Sequence, residues 1–224
     1  MVSTPLVVAV DGPSGSGKSS TARGVATRLG LAYLDTGAMY RAMTWALLER
    51  GTDLDDPAAI ARDAEHVVIE SGTDPQAPTI VADGVDVSGP IRSRRVTDHV
   101  SPVSAVPRVR ELLVTLQRRY VEAADGIVVE GRDIGSVVAP DAPVKVHLVA
   151  DAAARAARRA RETGAADAAA TLESLARRDR IDSTRAASPL TQAEGSVLID
   201  GTHLTLEQVI DQVVTLVDAV RDPA

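Results

Sequence analysis

The sequence predicts an α/β protein built on a parallel sheet, and three observations carry that expectation. Apolar strand-like runs alternate with amphipathic helical patterns along the chain. The first run, Leu6-Val7-Val8-Ala9-Val10, is continuously apolar, as in a strand covered on both faces. A glycine-rich turn follows it directly and opens a helical pattern over 19–29, closed by Gly30. Residues 36–50 read as a second helix, closed by Gly51, and 57–66 as a third. Between 67 and 87 the texture changes to short β-branched runs: Val67-Val68-Ile69, Thr79-Ile80-Val81 and Val85-Asp86-Val87. Asp83-Gly84 is a hairpin signal, so a small antiparallel insertion is expected here. Pro107 starts a long helix with Leu112, Leu113, Leu116 and Tyr120 on one face. Ile127-Val128-Val129 is a short buried strand running into Glu130-Gly131-Arg132-Asp133, and 144–149 is another. Helices are expected over 151–162 and 171–180 and a last strand over 196–200. The capping box Thr205-Leu206-Glu207-Gln208 opens a terminal helix with Val209, Ile210, Val213 and Val217 on its apolar face.

Composition sets the bounds. A chain of 224 residues buries enough surface to hold a core without a disulfide or a metal. With no cysteine there are no disulfides, thiol nucleophiles or Cys-ligated metals, and the four histidines lie too far apart in sequence to suggest a zinc hydrolase. A net charge of −7 argues against a protein that coats nucleic acid or an anionic membrane. No run approaches the roughly 18 apolar residues of a membrane-spanning helix, so a cytoplasmic protein is expected. Lysine is confined to positions 18 and 145, and every other side-chain cation of the Lys/Arg type is arginine. A GC-rich genome is one reading of that bias, and arginine's planar fork, which suits phosphate, is the other.

One motif carries chemistry by itself. Gly12-Pro13-Ser14-Gly15-Ser16-Gly17-Lys18-Ser19 fits G-x-x-x-x-G-K-[ST], with a strand before it and a helix after it. Its glycines let successive N–H groups turn inward around a phosphate, and the helix beginning near Lys18 adds its free N–H groups. Lys18 is placed to reach β- and γ-phosphates, the Ser19 hydroxyl to ligate Mg²⁺, and Ser20 to lie beside them. The loop implies a nucleoside triphosphate and says little about the reaction. The guanine-binding N/T-K-x-D motif is missing, which counts against a GTPase. A small kinase needs a second anion site, and the arginines supply candidates. Arg41 follows Thr36 and Tyr40 at one helix start. Arg132 lies at the carboxyl end of a buried strand, where α/β sites form, and Arg178, Asp182 and Arg185 share one segment. Arg118, Arg119 and Arg159 are read as solvated helix faces. For the acid near the metal the strand ending at Glu130 is favoured over the one ending at Asp200, with Asp133 as the functional acid and Glu130 as the weaker candidate.

The chain resembles the bacterial cytidylate kinase family over nearly its whole length. The resemblance rests on Asp11-Gly12-Pro13-Ser14-Gly15-Ser16-Gly17-Lys18-Ser19, Leu34-Asp35-Thr36-Gly37-Ala38-Met39-Tyr40-Arg41 and Asp86-Val87-Ser88-Gly89-Pro90-Ile91-Arg92. It continues in Pro107-Arg108-Val109-Arg110-Glu111, Glu130-Gly131-Arg132-Asp133-Ile134-Gly135 and the segment from Arg178 through Asp182 to Arg185. The resemblance implies a P-loop fold with a three-layer parallel-sheet core, a nucleotide-monophosphate subdomain containing a small antiparallel sheet, and a mobile helical lid. The expected division is 1–34, 107–150 and 186–224 for the core, 35–106 for the monophosphate subdomain and 151–185 for the lid. It further implies transfer of the γ-phosphoryl group of ATP to CMP or dCMP with Mg²⁺; a monomer is expected because no spare amphipathic helix is evident, and the charge balance predicts no nucleic-acid or membrane partner. Thr36, Tyr40 and Arg41 would then hold the acceptor. Ser101, Arg110, Arg132 and Asp133 would read the cytosine edge and sugar, and Asp182 and Arg185 would lie near sugar and phosphate. Lys18, Arg132, Asp133, Arg178 and Arg185 form the expected catalytic set, and Arg158 is the expected ATP contact on the lid side. Gly135 and Gly164 are read as hinges of a closing lid. Thr36 stands where many members carry serine, which keeps the hydroxyl. Competing readings are another small P-loop kinase, acting on UMP, AMP or shikimate, and a nucleotide-binding switch without phosphoryl transfer.

Overall fold

The computed structural model describes residues 5–163, 172, 173, 176, 179, 180 and 191–222. The first strand, β1 (Leu6–Asp11), leads through the glycine loop into α1 (Lys18–Leu29). Then come β2 (Ala32–Asp35), α2 (Thr36–Glu49) and α3 (Pro57–Ala64). The insertion holds β3 (Ile69–Ser71), β4 (Ile80–Ala82) and β5 (Val85–Asp86), an antiparallel sheet in that order. A short 3-10 turn, Pro90–Arg92, leads into α4 (Arg94–Ala105), α5 (Pro107–Ala123) and β6 (Gly126–Gly131). A π-helical turn (Ile134–Val138) precedes β7 (Val144–Val149), α6 (Ala152–Thr163), β8 (Val197–Asp200) and α7 (Leu206–Arg221).

The five long-range strands form one parallel sheet in the order β2-β6-β1-β7-β8. Side chains alternate across a strand, so each central strand feeds both faces. Val8, Val10 and Val128 face α1 and α7, packing on Val25, Ile210 and Val213. Ala9, Ile127 and Val129 face the other way, onto α2 and α5 through Met39, Met43, Val109 and Leu113. Three layers result, as the alternating pattern predicts. The sheet brings the carboxyl ends of β2, β6 and β1 side by side, with Asp35 opposite Glu130 and Asp11 opposite Gly131.

Two elements are not visible in the sequence pattern. β2 is four residues long and pairs only at the sheet edge with β6. Helix α4 is rich in β-branched residues and contains Pro102, which local propensity counts against a helix. Packing overrides propensity here. Ser93 caps the helix by accepting the Val96 N–H, and Val96, Val100 and Val103 are buried at helical spacing. The first insertion strand is also shifted from 67–69 to Ile69–Ser71. Asp83 accepts the Val68 N–H on its side chain, which takes Val68 out of the ladder and leaves it exposed. The expected helix over 171–180 and the Gly164 hinge lie wholly or largely outside the described residues. Among the described residues no helix is long and apolar enough to cross a membrane.

Candidate active site

The glycine loop is held tight against β7. A Cβ at Gly12 would lie 2.2 Å from the Leu148 carbonyl oxygen, so only glycine permits this approach. Gly17, at φ 95°, starts α1 without a side-chain cap, which leaves the first N–H groups of the helix to an anion. The buried Ser16 hydroxyl has no hydrogen-bond partner among the described residues. A phosphate cradled by the loop would supply one, so the residues present fit a nucleoside triphosphate. The loop's own shape is fixed from the side. Lys18 Nζ donates to the Pro13 carbonyl at 3.3 Å, and Arg158 donates to Ser16 O at 2.8 Å and to Gly201 O at 2.5 Å. Arg155 donates to Ser14 O at 3.1 Å and pairs with Asp179.

Sequence reasoning favours Asp133 over Glu130 as the acid that works with Ser19; the structure places Glu130 beside the Ser19 hydroxyl. The Ser19 hydroxyl donates to Glu130 Oε2 at 2.8 Å. The reason is the strand period: Glu130 lies two residues beyond Val128, on the α1 face of β6, whereas Asp133 lies past the strand end. Glu130 is buried, and burial, with the Asp35 carboxylate adding to it, pushes its carboxyl up to about 7 against the pull of Lys18 and two hydroxyls. A single hydroxyl backed by a buried carboxylate fits Mg²⁺, which binds through few protein ligands and the phosphates themselves.

Asp133 belongs to the opposite side of the cleft. It forms an ion pair with Arg110 of α5, both buried, and the Arg110 guanidinium lies 5.5 Å from the centre of the Tyr40 ring. Arg110 also reaches the Ser104 carbonyl at 3.5 Å. Thr36 donates its hydroxyl to Glu130 O at 2.7 Å, tying α2 to β6. Arg41 donates to Ile91 O and Thr97 Oγ1, each at 3.0 Å, and so joins α2 to the turn before α4. Arg132 donates to Gly12 O at 2.9 Å, which places it beside the glycine loop rather than beside Arg110. One cleft nevertheless gathers Lys18, Ser19, Thr36, Tyr40, Arg41, Ser101, Arg110, Arg132 and Asp133. Arg178, Asp182 and Arg185 lie outside the described residues.

Three site residues escape the sequence reading. Arg159, read there as part of a solvated face, lines the cleft instead. Its spacing of four from Arg155, which touches the glycine loop, is the signal that could have found it. Asp35 caps α2 by accepting the Ala38 N–H at 2.8 Å and lines the same cleft. Asp11 accepts the N–H groups of Ile134 and Gly135, each at 2.8 Å, and so pins the bend that carries Asp133. Gly135, read from the sequence as a hinge, sits in the same bend. It is buried in the π-helical turn, where a Cβ would meet Ala193 Cβ at 3.1 Å, so glycine serves close packing there.

Burial pushes the Asp11 carboxyl up to about 6 from an ordinary 3.8, although the Gly135 and Ile134 N–H groups pull it down. Its pKa is thus higher folded than unfolded. The stability this favours is fully present below about pH 4 and is lost as pH rises through 6. Asp11→Asn cannot titrate there. The stability of the wild type relative to Asp11→Asn should therefore fall by roughly 3 kcal/mol between pH 4 and pH 7 in urea unfolding. A difference that stays constant across that range counts against the assignment.

A phosphate loop on one wall and an arginine-rich cleft on the other define a P-loop kinase of the small-acceptor class. The cytidylate kinase family model matches residues 8–219. A cytidylate kinase of Streptomyces griseus subsp. griseus is 57% identical over 217 residues, covering 96% of this chain and 94% of its own. One from Nocardia farcinica is 55% identical over 213 residues, with 93% and 92% covered. The crystal structure of a gluconokinase from Sinorhizobium meliloti 1021 matches with a TM-score of 0.50 at 16% identity, covering 97% of this chain and 94% of that one, a likeness of fold alone. The chain belongs to the cytidylate kinase family.

Proposed function

We propose that the protein transfers the γ-phosphoryl group of ATP to CMP or dCMP, giving CDP or dCDP and ADP. The observation that carries this is the family match over 8–219, with the glycine loop, Arg41, Arg110 and Arg132 all lining one cleft. The ATP phosphates lie on the loop N–H groups, with Lys18 beside the β- and γ-phosphates. A divalent cation on the Ser19 hydroxyl would neutralise charge on the two transferring-side phosphates. The adenosine end fits the groove between α6 and the 201–206 turn, along Arg158, His203 and Leu206.

The acceptor phosphate lies between Arg41 and Arg132. An anionic oxygen of that phosphate attacks the γ-phosphorus in line. The new P–O bond forms as the bond to the β–γ bridging oxygen breaks, and ADP leaves with that electron pair. No strong base is needed, because the attacking oxygen is already anionic; positioning and charge neutralisation supply the rate. Arg159, on the α6 side of the same cleft, adds positive charge where the leaving oxygen develops negative charge. Base choice is assigned to the Asp133–Arg110 pair. Asp133 accepts from the cytosine amino group and Arg110 donates to the ring carbonyl. Uracil would set a carbonyl against the acid, at a cost of about 1–3 kcal/mol. The reading includes a monomeric cytoplasmic enzyme of pyrimidine nucleotide metabolism.

The test is a coupled ADP-release assay with ATP, Mg²⁺ and CMP, dCMP, UMP or AMP in turn. Release that depends on CMP or dCMP is expected. Release that depends on UMP or AMP would keep the kinase and overturn the roles given to Asp133 and Arg110. Slow release indifferent to every monophosphate would overturn the kinase reading.

A further inference from the structure

Tyr33 is a buried polar side chain that no step above uses. It lies on β2, 2% exposed, and its phenol O–H donates to Glu130 Oε1 at 2.5 Å. The other oxygen of the same carboxylate receives the Ser19 hydroxyl at 2.8 Å. Glu130 thus bridges a tyrosine of the sheet edge and the serine that follows the phosphate-loop lysine. The tyrosine itself cannot drift, because its backbone N–H donates to Thr73 O at 2.9 Å and its ring is packed among Val128 and the α1 side of the core. Burial and the adjacent Glu130 hold its ionisation well above the usual tyrosine range, so the phenol stays a donor.

The geometry has a chemical consequence at Ser19. A serine hydroxyl has one proton and two lone pairs. With its proton committed to Glu130 Oε2, its lone pairs turn away from the acid. That is the orientation a hydroxyl needs to ligate a cation. A glutamate has three side-chain torsions, and anchoring one carboxylate oxygen on Tyr33 selects where the other oxygen stands.

We propose that Tyr33 is a positioning residue for the metal site: it fixes Glu130, which in turn sets the Ser19 hydroxyl with its lone pairs toward a divalent cation on the ATP phosphates. This rests on the reading of Ser19 as the metal-binding hydroxyl given above.

Two measurements on the full chain test it. One is the Mg²⁺ dependence of the rate at saturating ATP and CMP. The other is Mn²⁺ binding to enzyme saturated with a non-hydrolysable ATP analogue, followed by electron paramagnetic resonance of the free ion. Tyr33→Phe keeps the ring and removes the donor. It should raise the half-saturating Mg²⁺ concentration and weaken Mn²⁺ binding about tenfold, the scale of one hydrogen bond to a charged group. The KM for CMP should stay within about twofold. Glu130→Asp is one methylene shorter, cannot span Ser19 and Tyr33 together, and should shift both readouts in the same direction. Ser19→Ala examines the underlying assignment and should weaken Mn²⁺ binding more than Tyr33→Phe. If Ser19→Ala weakens Mn²⁺ binding and Tyr33→Phe binds it as the wild type does, the role of Tyr33 is overturned and the metal assignment stands. If neither variant changes Mn²⁺ binding, both are overturned. A Tyr33→Phe protein that only melts lower, with unchanged metal affinity, shows a packing role and overturns the proposal as well.

Discussion

Lys18→Ala should lower kcat on the order of 10³-fold, the scale of losing a preorganised charged donor at the transition state. The melting temperature should move little, because Lys18 is half-buried and its 3.3 Å bond to the Pro13 carbonyl lies within its own loop. The charge on the transferring phosphoryl group and on the leaving ADP oxygen has to be met from the loop side. Lysine is the cation that the motif puts there. Lys18→Arg should not rescue the rate, since the larger planar guanidinium cannot occupy the compact ammonium position inside the loop. Single-turnover rates with saturating CMP and ATP, read beside thermal melts, check both claims. A loss of less than tenfold for Lys18→Ala would remove the lysine from the transition state.

Asp133→Ala should act on stability and specificity together. The Asp133–Arg110 pair is buried, with side-chain exposures of 6% and 5%. Removing the carboxylate strands the guanidinium in the interior, where the Ser104 carbonyl at 3.5 Å and the Tyr40 ring compensate little. Breaking such a pair costs about 3–5 kcal/mol. The variant should unfold at correspondingly lower urea, and its preference for CMP over UMP in kcat/KM should fall below about tenfold. The double variant Arg110→Met with Asp133→Leu separates the two effects. Replacing a buried pair by apolar groups restores much of the stability, while base preference should stay lost. A double variant that regained stability and still preferred CMP would show that the pair is only structural.

The parts of this site that are local in sequence are legible in it. The run Leu6-Val7-Val8-Ala9-Val10, the glycine loop and the helix that begins at Lys18 follow one another without a break, and each is dictated by short-range rules. The hairpin at Asp83-Gly84 is equally local, since Asp83 and Gly84 both take positive φ there. So is the capping box at Thr205 and Gln208, where both reciprocal bonds form. The acid beside Ser19 is a different matter. Glu130 and Asp133 are three residues apart and chemically alike, and the strand ends between them. Which one faces Ser19 depends on how far β6 continues to pair with β1 and β2.

The chain alone therefore determined the phosphate loop, the alternation that makes a parallel sheet, and the run of motifs that marks the family, because each depends on residues close together in sequence. Tertiary structure alone decided that Glu130 backs Ser19 while Asp133 pairs with Arg110, that Arg159 enters the cleft, that α4 is a helix despite Pro102, and that Tyr33 reaches Glu130. The Ser19–Glu130 bond alone joins residues 111 positions apart. Their physical cause is burial: a carboxylate or guanidinium inside the protein must find a partner, and only the packed sheet and helices bring the partners within reach.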